Sequence, residues 1–348
     1  NVIVSLWIDH SRQLWVGTYF GGLDRFDGSR FIHYKHDPKD SNTISDNSIW
    51  EVLEDSQNRL WVGTLNGGLN RWDPATQQFR HFQQEVPSKY IAALLEDNQG
   101  NLWIGTSDGL DVRNGKTGAF RHFANLPAVR GSLSHNNVVC IFQDSQNRIW
   151  IGTREGLDLF SPKDSSFLTL RKEDGLPDNS VLNILEANDH SLWMSTPNGL
   201  SNMTIQPGAN GKGHTFSFRN YDESDGLQGK DFNENAALKT SRGELIFGGG
   251  NGFNLFYPNA ITVNSNVPPV VLTDLQIFNK SILPGEKVNG RVLLSAAISN
   301  TKSITLKHGE NVFSLEFASL NYFHPEKNRY AYKLEGFNKD WLYTDGVQ

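Results

Sequence analysis

One cysteine, Cys140, stands in 348 residues, so no disulfide can close within the chain and the count says nothing about redox compartment. Excess positive charge is also missing: 32 basic residues face 38 acidic ones, a net charge of −6. A surface without a basic field cannot hold a phosphate backbone, which argues against nucleic acid as a partner. No apolar run reaches the roughly 20 residues of a membrane span. The first residue is Asn1, with neither Met nor a signal-peptide apolar region, and the expectation is a fragment of a longer protein whose targeting signals lie outside it. Catalytic signatures are absent too. There is no Gly-x-Ser-x-Gly and no His-Glu-x-x-His, and the glycine run 247–252 lacks the Lys-Ser/Thr of a phosphate loop. No cofactor and no metal site is expected.

What is present is a repeat. Leu14-Trp15-Val16-Gly17-Thr18 returns as Leu60-Trp61-Val62-Gly63-Thr64, as Leu102-Trp103-Ile104-Gly105-Thr106 and as Ile149-Trp150-Ile151-Gly152-Thr153. A looser copy is Leu192-Trp193-Met194-Ser195-Thr196, and a degenerate one is Leu245-Ile246-Phe247-Gly248-Gly249. The tryptophans are spaced 46, 42, 47 and 43 residues apart. A period of about 40–45 residues carrying four strand signals marks a β-propeller of four-stranded blades. In the second copy residues 47–54 read as an inner strand, 60–64 as the second, 69–72 as the third and 79–82 as an exposed outer strand, with Asp-Ser-Gln-Asn and Asn-Gly-Gly turns between. The tryptophan suits the gap between blades, and the glycine two residues on admits close approach of the neighbour. Six blades are visible. A seven-bladed ring, its remaining blade preceding Asn1, and a closed six-bladed ring both fit the sequence. The sixth unit is longer, with the excess in the Gly-rich stretch 206–213.

A second periodic feature lies fourteen residues before the tryptophan, or before Phe247 in the sixth copy: Asn1, Asn47, Asn136, Asn179 and Asn233, broken in the third blade by Lys89 with Tyr90 after it. An Asn in that place serves an Asx turn, or it contributes an amide to a ring at the channel mouth. Candidate ligand-binding residues at this rim are Asn47, Trp50, Lys89, Tyr90, His135, Asn136, Asn179 and Asn233. Packing against the next blade is the better reading of Trp50. The pairs Glu54-Asp55 and Glu96-Asp97 have the chemistry for glycoside hydrolysis, but Asp9 and Asp144 recur in the same slot, which a hairpin requirement explains better. His81 and His122 read as solvated outer-strand positions rather than metal ligands.

The pattern ends near Pro258, and Val267-Pro268-Pro269 marks a linker. The propeller is assigned to 1–263 and a second all-β domain to 264–348. In the latter, strand-like runs at 271–278, 303–307, 312–317 and 330–334 read as a truncated immunoglobulin-like sandwich.

Asp144-Ser145-Gln146-Asn147-Arg148-Ile149-Trp150-Ile151-Gly152-Thr153-Arg154-Glu155-Gly156-Leu157 resembles the two-component regulator propeller repeat. Asn311–Phe317, Asn328–Phe337 and Trp341 resemble the tyrosine-rich domain (Y_Y_Y) that follows such propellers. The pairing resembles the extracytoplasmic half of bacterial hybrid two-component histidine kinases. The resemblance implies a periplasmic sensor for an oligosaccharide or other small polar ligand, without catalysis in this fragment, dimeric in the full-length protein and tied to the membrane only through segments outside this chain. Two rivals remain: a propeller glycoside hydrolase or polysaccharide lyase, and a dimerisation scaffold whose ligand binds elsewhere.

Overall fold

The computed structural model describes residues 2–208, 213–261, 269–320, 328 and 330–344. It divides into two compact units, 1–261 and 262–348.

The first unit is a propeller. Five four-stranded antiparallel sheets and one three-stranded sheet follow one another along the chain, each a meander from an inner strand outward. The inner strands are Val2–Ile8, Ile49–Glu54, Ile91–Glu96, Val138–Gln143, Asn183–Glu186 and Phe232–Lys239. The second strands, which carry the repeat marker, are Leu14–Tyr19, Leu60–Thr64, Leu102–Thr106, Ile149–Thr153, Leu192–Thr196 and Leu245–Gly249. Among the described residues blade 6 has three strands, the third being Gly252–Phe256.

Each letter of the marker has a mechanical role. The tryptophans at 15, 61, 103, 150 and 193 are buried and face forward onto the next blade. In blades 1–4 the indole Nε1 donates to the aspartate six residues earlier: Trp15 to Asp9 at 2.9 Å, Trp61 to Asp55 at 2.7 Å, Trp103 to Asp97 at 2.8 Å and Trp150 to Asp144 at 2.8 Å. The same aspartate caps its hairpin, since Asp55 Oδ1 accepts from the Gln57 and Arg59 amides, both at 3.0 Å. In blade 5 this slot holds Ala187, and the Trp193 Nε1 is buried without a partner. The motif glycine receives a β-branched side chain of the following blade. A Cβ at Gly63 would meet Ile91 Cγ2 at 2.7 Å, and one at Gly105 would meet Val138 Cγ1 at 2.6 Å. The motif threonine ties the next turn, as Thr64 Oγ1 does to the Gly68 carbonyl at 2.9 Å.

Adjacent blades are also clasped at the end where these hairpins lie, the lower mouth. The Ser56 amide donates to Glu96 at 2.6 Å, the Ser145 amide to Glu186 at 2.8 Å and the His10 amide to Glu54 at 2.7 Å. Glu54-Asp55 and Glu96-Asp97 are therefore fully committed. The glutamate holds the preceding blade and the aspartate holds its own tryptophan, which accounts for the recurrence of these pairs as a hairpin requirement.

Blades 6 and 1 present uncovered faces. Ile3 occupies the position of Ile49, Ile91 and Val138 in the sheet register, yet it is 60 % exposed where they are 0 %. Among the described residues none of another blade approaches Gly248, and Leu238, Phe253 and Leu255 are exposed.

The long Gly-rich stretch belongs to blade 5, not to blade 6. It joins the third strand Gly199–Pro207 to the outer strand His214–Tyr221, which pair along their whole length as an elongated outer hairpin. Residues 209–212 lie outside the described residues.

In the second unit Val270–Ile277 pairs with Lys280–Ser281 on one side and Phe313–Ser319 on the other. Its core is Leu275, Ile277, Ile282, Leu294 and Ile298. Glu310 is buried, accepting from the Lys307 amide at 2.7 Å and from Arg291. A two-stranded ribbon, Tyr330–Tyr332 with Leu342–Thr344, meets the sheet through Tyr330, whose hydroxyl accepts from the Ser319 amide at 3.1 Å and whose ring lies 5.4 Å from Phe317. The run 303–307 forms no strand. Ile304 and Leu306 pack against the small core instead, and the segment finds no ladder partner among the described residues.

Candidate functional site

The inner strands of all six blades line one cavity of about 260 Å³, the central channel. Ser5, Glu51, Ala93, Cys140, Asn183 and Ala237 form its wall. Their placement depends on a feature the alternation of residue types does not reveal. In blades 1–4 the inner strand slips by one residue against the second strand, between Ile3 and Ser5, Ile49 and Glu51, Ile91 and Ala93, and Val138 and Cys140. Such a bulge re-aims the side chains beyond it. Burial pushes the Cys140 thiol up to about 12, so this cysteine packs rather than reacts. Burial likewise pushes the Glu51 carboxyl up to about 8.

The upper mouth, where the inner strands begin, carries the richest group of side chains. In blade 6 the slip is larger, running from Phe232 to Ala237, and Asn235 takes the left-handed conformation at φ 54°. This bulge turns Glu234 and Asn235 toward other blades. Glu234 pairs with Arg154 of blade 4, whose guanidinium also reaches Ser180 Oγ at 3.4 Å. Asn235 Nδ2 donates to the Trp50 carbonyl of blade 2 at 3.1 Å. Trp50 lies 6.0 Å from the Tyr90 ring of blade 3, and its Nε1 is buried without a partner. Burial, reinforced by the nearby Glu234 charge, pushes the Tyr90 hydroxyl up to about 12, so it is a neutral donor at any physiological pH. Tyr19 of blade 1 is also close enough to Tyr90 to act on it, and Phe20 packs on Tyr19 at 4.1 Å. Five blades thus contribute to one patch of aromatic faces around a charged pair.

The sequence-based candidates divide unequally. Trp50 and Tyr90 fall in this patch. Asn47, Asn136 and Asn179 each spend the amide oxygen on the loop leading into their strand, accepting from the His36, Asn125 and Lys172 amides at 2.9, 2.6 and 3.0 Å. That is the turn-capping role, and it leaves no ring of free amide oxygens. His135 Nδ1 accepts from the Asn137 amide at 3.0 Å, a local turn bond. Lys89 is exposed, and its carbonyl accepts from Gly68 at 2.8 Å, as the Asn47 carbonyl does from Gly22. The corresponding carbonyl in blade 6 is that of Lys230, which accepts from Gly199 at 2.8 Å. Asn233 is therefore three residues past the equivalent position, two because of the larger bulge and one because Ile246, not Phe247, stands where the other blades have tryptophan, and its carbonyl accepts from Asn183 at 2.7 Å. Asn1 lies outside the described residues. Sequence reasoning missed Tyr19, Arg154, Glu234 and Asn235. The only signal for the last two was the extra length between Phe232 and Leu245, which breaks the blade period.

Among the described residues no group of three or more potential ligands is placed to hold a metal ion. No helix among them is long and apolar enough to cross a membrane.

Comparison with known proteins places these observations. The model of a family described as "Two component regulator propeller" matches residues 43–66, 85–108, 132–155 and 175–198. A relative described as histidine kinase P4, from Formosa agariphila, is 31 % identical over 177 residues, which cover 51 % of this chain and 12 % of the relative. Among solved structures, the extracellular domain of the hybrid two component system BT3049 of B. thetaiotaomicron is similar with a TM-score of 0.53 and 24 % identity, over 99 % of this chain and 50 % of that one. The extracellular domain of BT4673, from the same organism, matches with a TM-score of 0.51 and 24 % identity, over 99 % and 51 %. The chain thus spans about half the length of these structures and a small part of the kinase.

Proposed function

The chain carries two-component regulator propeller repeats, and on that footing we propose that it is the ligand-sensing module of a hybrid two-component sensor, periplasmic in location, with the upper mouth of the channel as its binding site. The ligand is a polar oligosaccharide. The observation that carries this reading is the patch formed by Tyr19, Phe20, Trp50, Tyr90, Arg154 and Glu234, drawn from five blades. Aromatic faces cover the C–H faces of sugar rings at low entropic cost, while a fixed charged pair and neutral Tyr and Trp donors select the hydroxyl pattern. The buried Trp50 Nε1 is an unspent donor of this kind.

Signalling follows by population shift: the ligand favours the sensor conformation in which the five contributing blades hold the mouth closed on it. Relay through the following tyrosine-rich region, in a dimer, belongs to the same proposal. Calorimetric titration of the intact sensor region against a panel of neutral and acidic oligosaccharides tests it. One saturable ligand is expected, and Trp50→Ala or Tyr90→Ala weakens it at least tenfold. A folded sensor that binds nothing on the panel, or binds equally well without both rings, contradicts the proposal.

A further inference from the structure

Between blades 2 and 3, away from the channel, a groove of about 350 Å³ is lined by Arg71, Arg80 and Arg113 together with Phe82, Phe120 and Glu85. Arg71 lies on the third strand of blade 2, Leu69–Asp73, Arg80 on its outer strand, Gln78–His81, and Arg113 on the third strand of blade 3, Leu110–Arg113. A fourth guanidinium, Arg59, sits nearby over the Trp61 ring at 5.8 Å.

The carboxylates at hand are already engaged. Asp55 holds Arg59 at 2.6 Å and the Trp61 indole at 2.7 Å. Asp73 accepts from the Ala75 amide at 2.9 Å. Glu85 reaches Arg80 at 3.4 Å. None is hydrogen-bonded to Arg71 or Arg113. These two guanidiniums lie over the Trp61 ring at 5.9 and 5.7 Å, and the Arg113 Nη1 is buried with no hydrogen-bond partner. An aromatic face offsets part of a cation's charge but accepts none of its in-plane N–H bonds. Burial and the neighbouring arginines lower the pKa of both groups, which shows like charges held together at a cost. The guanidinium fork matches oxyanions bidentately, and an anion here relieves the repulsion and takes up the idle donors.

We propose that this groove is a binding site for a tetrahedral oxyanion, sulfate or phosphate, free or carried as an ester on a larger molecule. It is separate from the channel mouth and does not depend on the assignment made there.

The test is calorimetric titration of the full chain with sodium sulfate and with sodium phosphate, at ionic strength held constant with chloride. The expected result is one saturable site, weakened at least tenfold by Arg71→Gln or Arg113→Gln and unchanged by Arg25→Gln, which removes the corresponding blade 1 arginine over Trp15. Trp50→Ala leaves it unchanged, so failure here and failure at the channel mouth are distinguishable. Without the anion, Arg71→Gln and Arg113→Gln melt no lower than the parent, because they remove repulsion. A sulfated disaccharide in a second arm, competing with the salt for the same site, identifies the ester as the source, and sulfate binding without such competition identifies the free ion. Absence of saturable binding by both salts, or undiminished binding in the Arg71→Gln/Arg113→Gln variant, overturns the assignment.

Discussion

At the scale of single residues, the aspartate six positions before each tryptophan holds the blade hairpin. Asp144 accepts from the Gln146 and Arg148 amides, from Arg148 Nε and from Trp150 Nε1. Asp144→Ala orphans several buried donors, and each costs about 1–3 kcal/mol. The expected loss is about 3 kcal/mol in urea unfolding, whereas Ala187→Gly costs no more than about 1 kcal/mol, since blade 5 never had the bond. A loss below about 1 kcal/mol for Asp144→Ala would remove the aspartate from its structural role. The sequence made the Trp-x-Gly-Thr packing legible because the period repeats it. The aspartate read only as a turn residue, because its second bond, to the indole, crosses the hairpin and leaves no mark in composition.

Glu51 gives a pH signature at the same scale. Its carboxyl is raised from 4.5 to about 8 by burial in the channel wall. Between those values the folded chain keeps a proton that the unfolded chain releases. Stability therefore falls as pH rises from about 4.5 to 8, and the contribution of this group is present in full only below that window. Glu51→Gln, which keeps the neutral form at every pH, gains about 2 kcal/mol on the parent at pH 8.5 and nothing at pH 4, after a discount for water in the channel. Thermal melts at the two pH values check this. A gain that does not depend on pH would show that Glu51 is ionised in the fold.

At the scale of elements, the fit between blades is a β-branched residue in a glycine slot. Ile91 fills that of Gly63 and is fully buried, whereas Ile3 stands in the same register and is largely exposed. In this chain Ile91→Ala is expected to cost about 3 kcal/mol and Ile3→Ala under about 0.5, measured by denaturant midpoint at constant slope. Equal costs would mean that the blade 1 face is covered. The strands themselves were legible: the second copy read as 47–54, 60–64, 69–72 and 79–82, against Ile49–Glu54, Leu60–Thr64, Leu69–Asp73 and Gln78–His81 observed. The inner-strand bulges were not, since one inserted residue in an apolar run alters no pattern. That gap hid the wall of the channel, misplaced Asn233 and concealed Glu234 and Asn235. In the second unit, 303–307 has strand-forming residues but, among the described residues, no neighbouring strand with which to pair, and its Ile304 and Leu306 serve the small core instead.

At the scale of the whole molecule, the propeller supplies rigidity and its departures from symmetry supply the proposed site. Four blades keep the aspartate–tryptophan bond, and the blade that loses its tryptophan, the sixth, reaches across the mouth to blades 2 and 4. A closed symmetric ring offers the same side chain many times over. One bulged blade makes the mouth asymmetric, as the proposed recognition of a ligand without matching symmetry requires. On the proposed function, ligand binds at the upper mouth, while the lower mouth, with its Glu and Asp clasps, holds the structure. Hydrogen-exchange mass spectrometry of the intact sensor, with and without the oligosaccharide found by titration, tests this most directly. Added protection is predicted at the upper-mouth residues 19–20, 48–51, 89–91, 153–155 and 233–236, with none at the lower-mouth hairpins 55–58, 97–100 and 144–147. Protection confined to the hairpins, or absent from the propeller altogether, would contradict it.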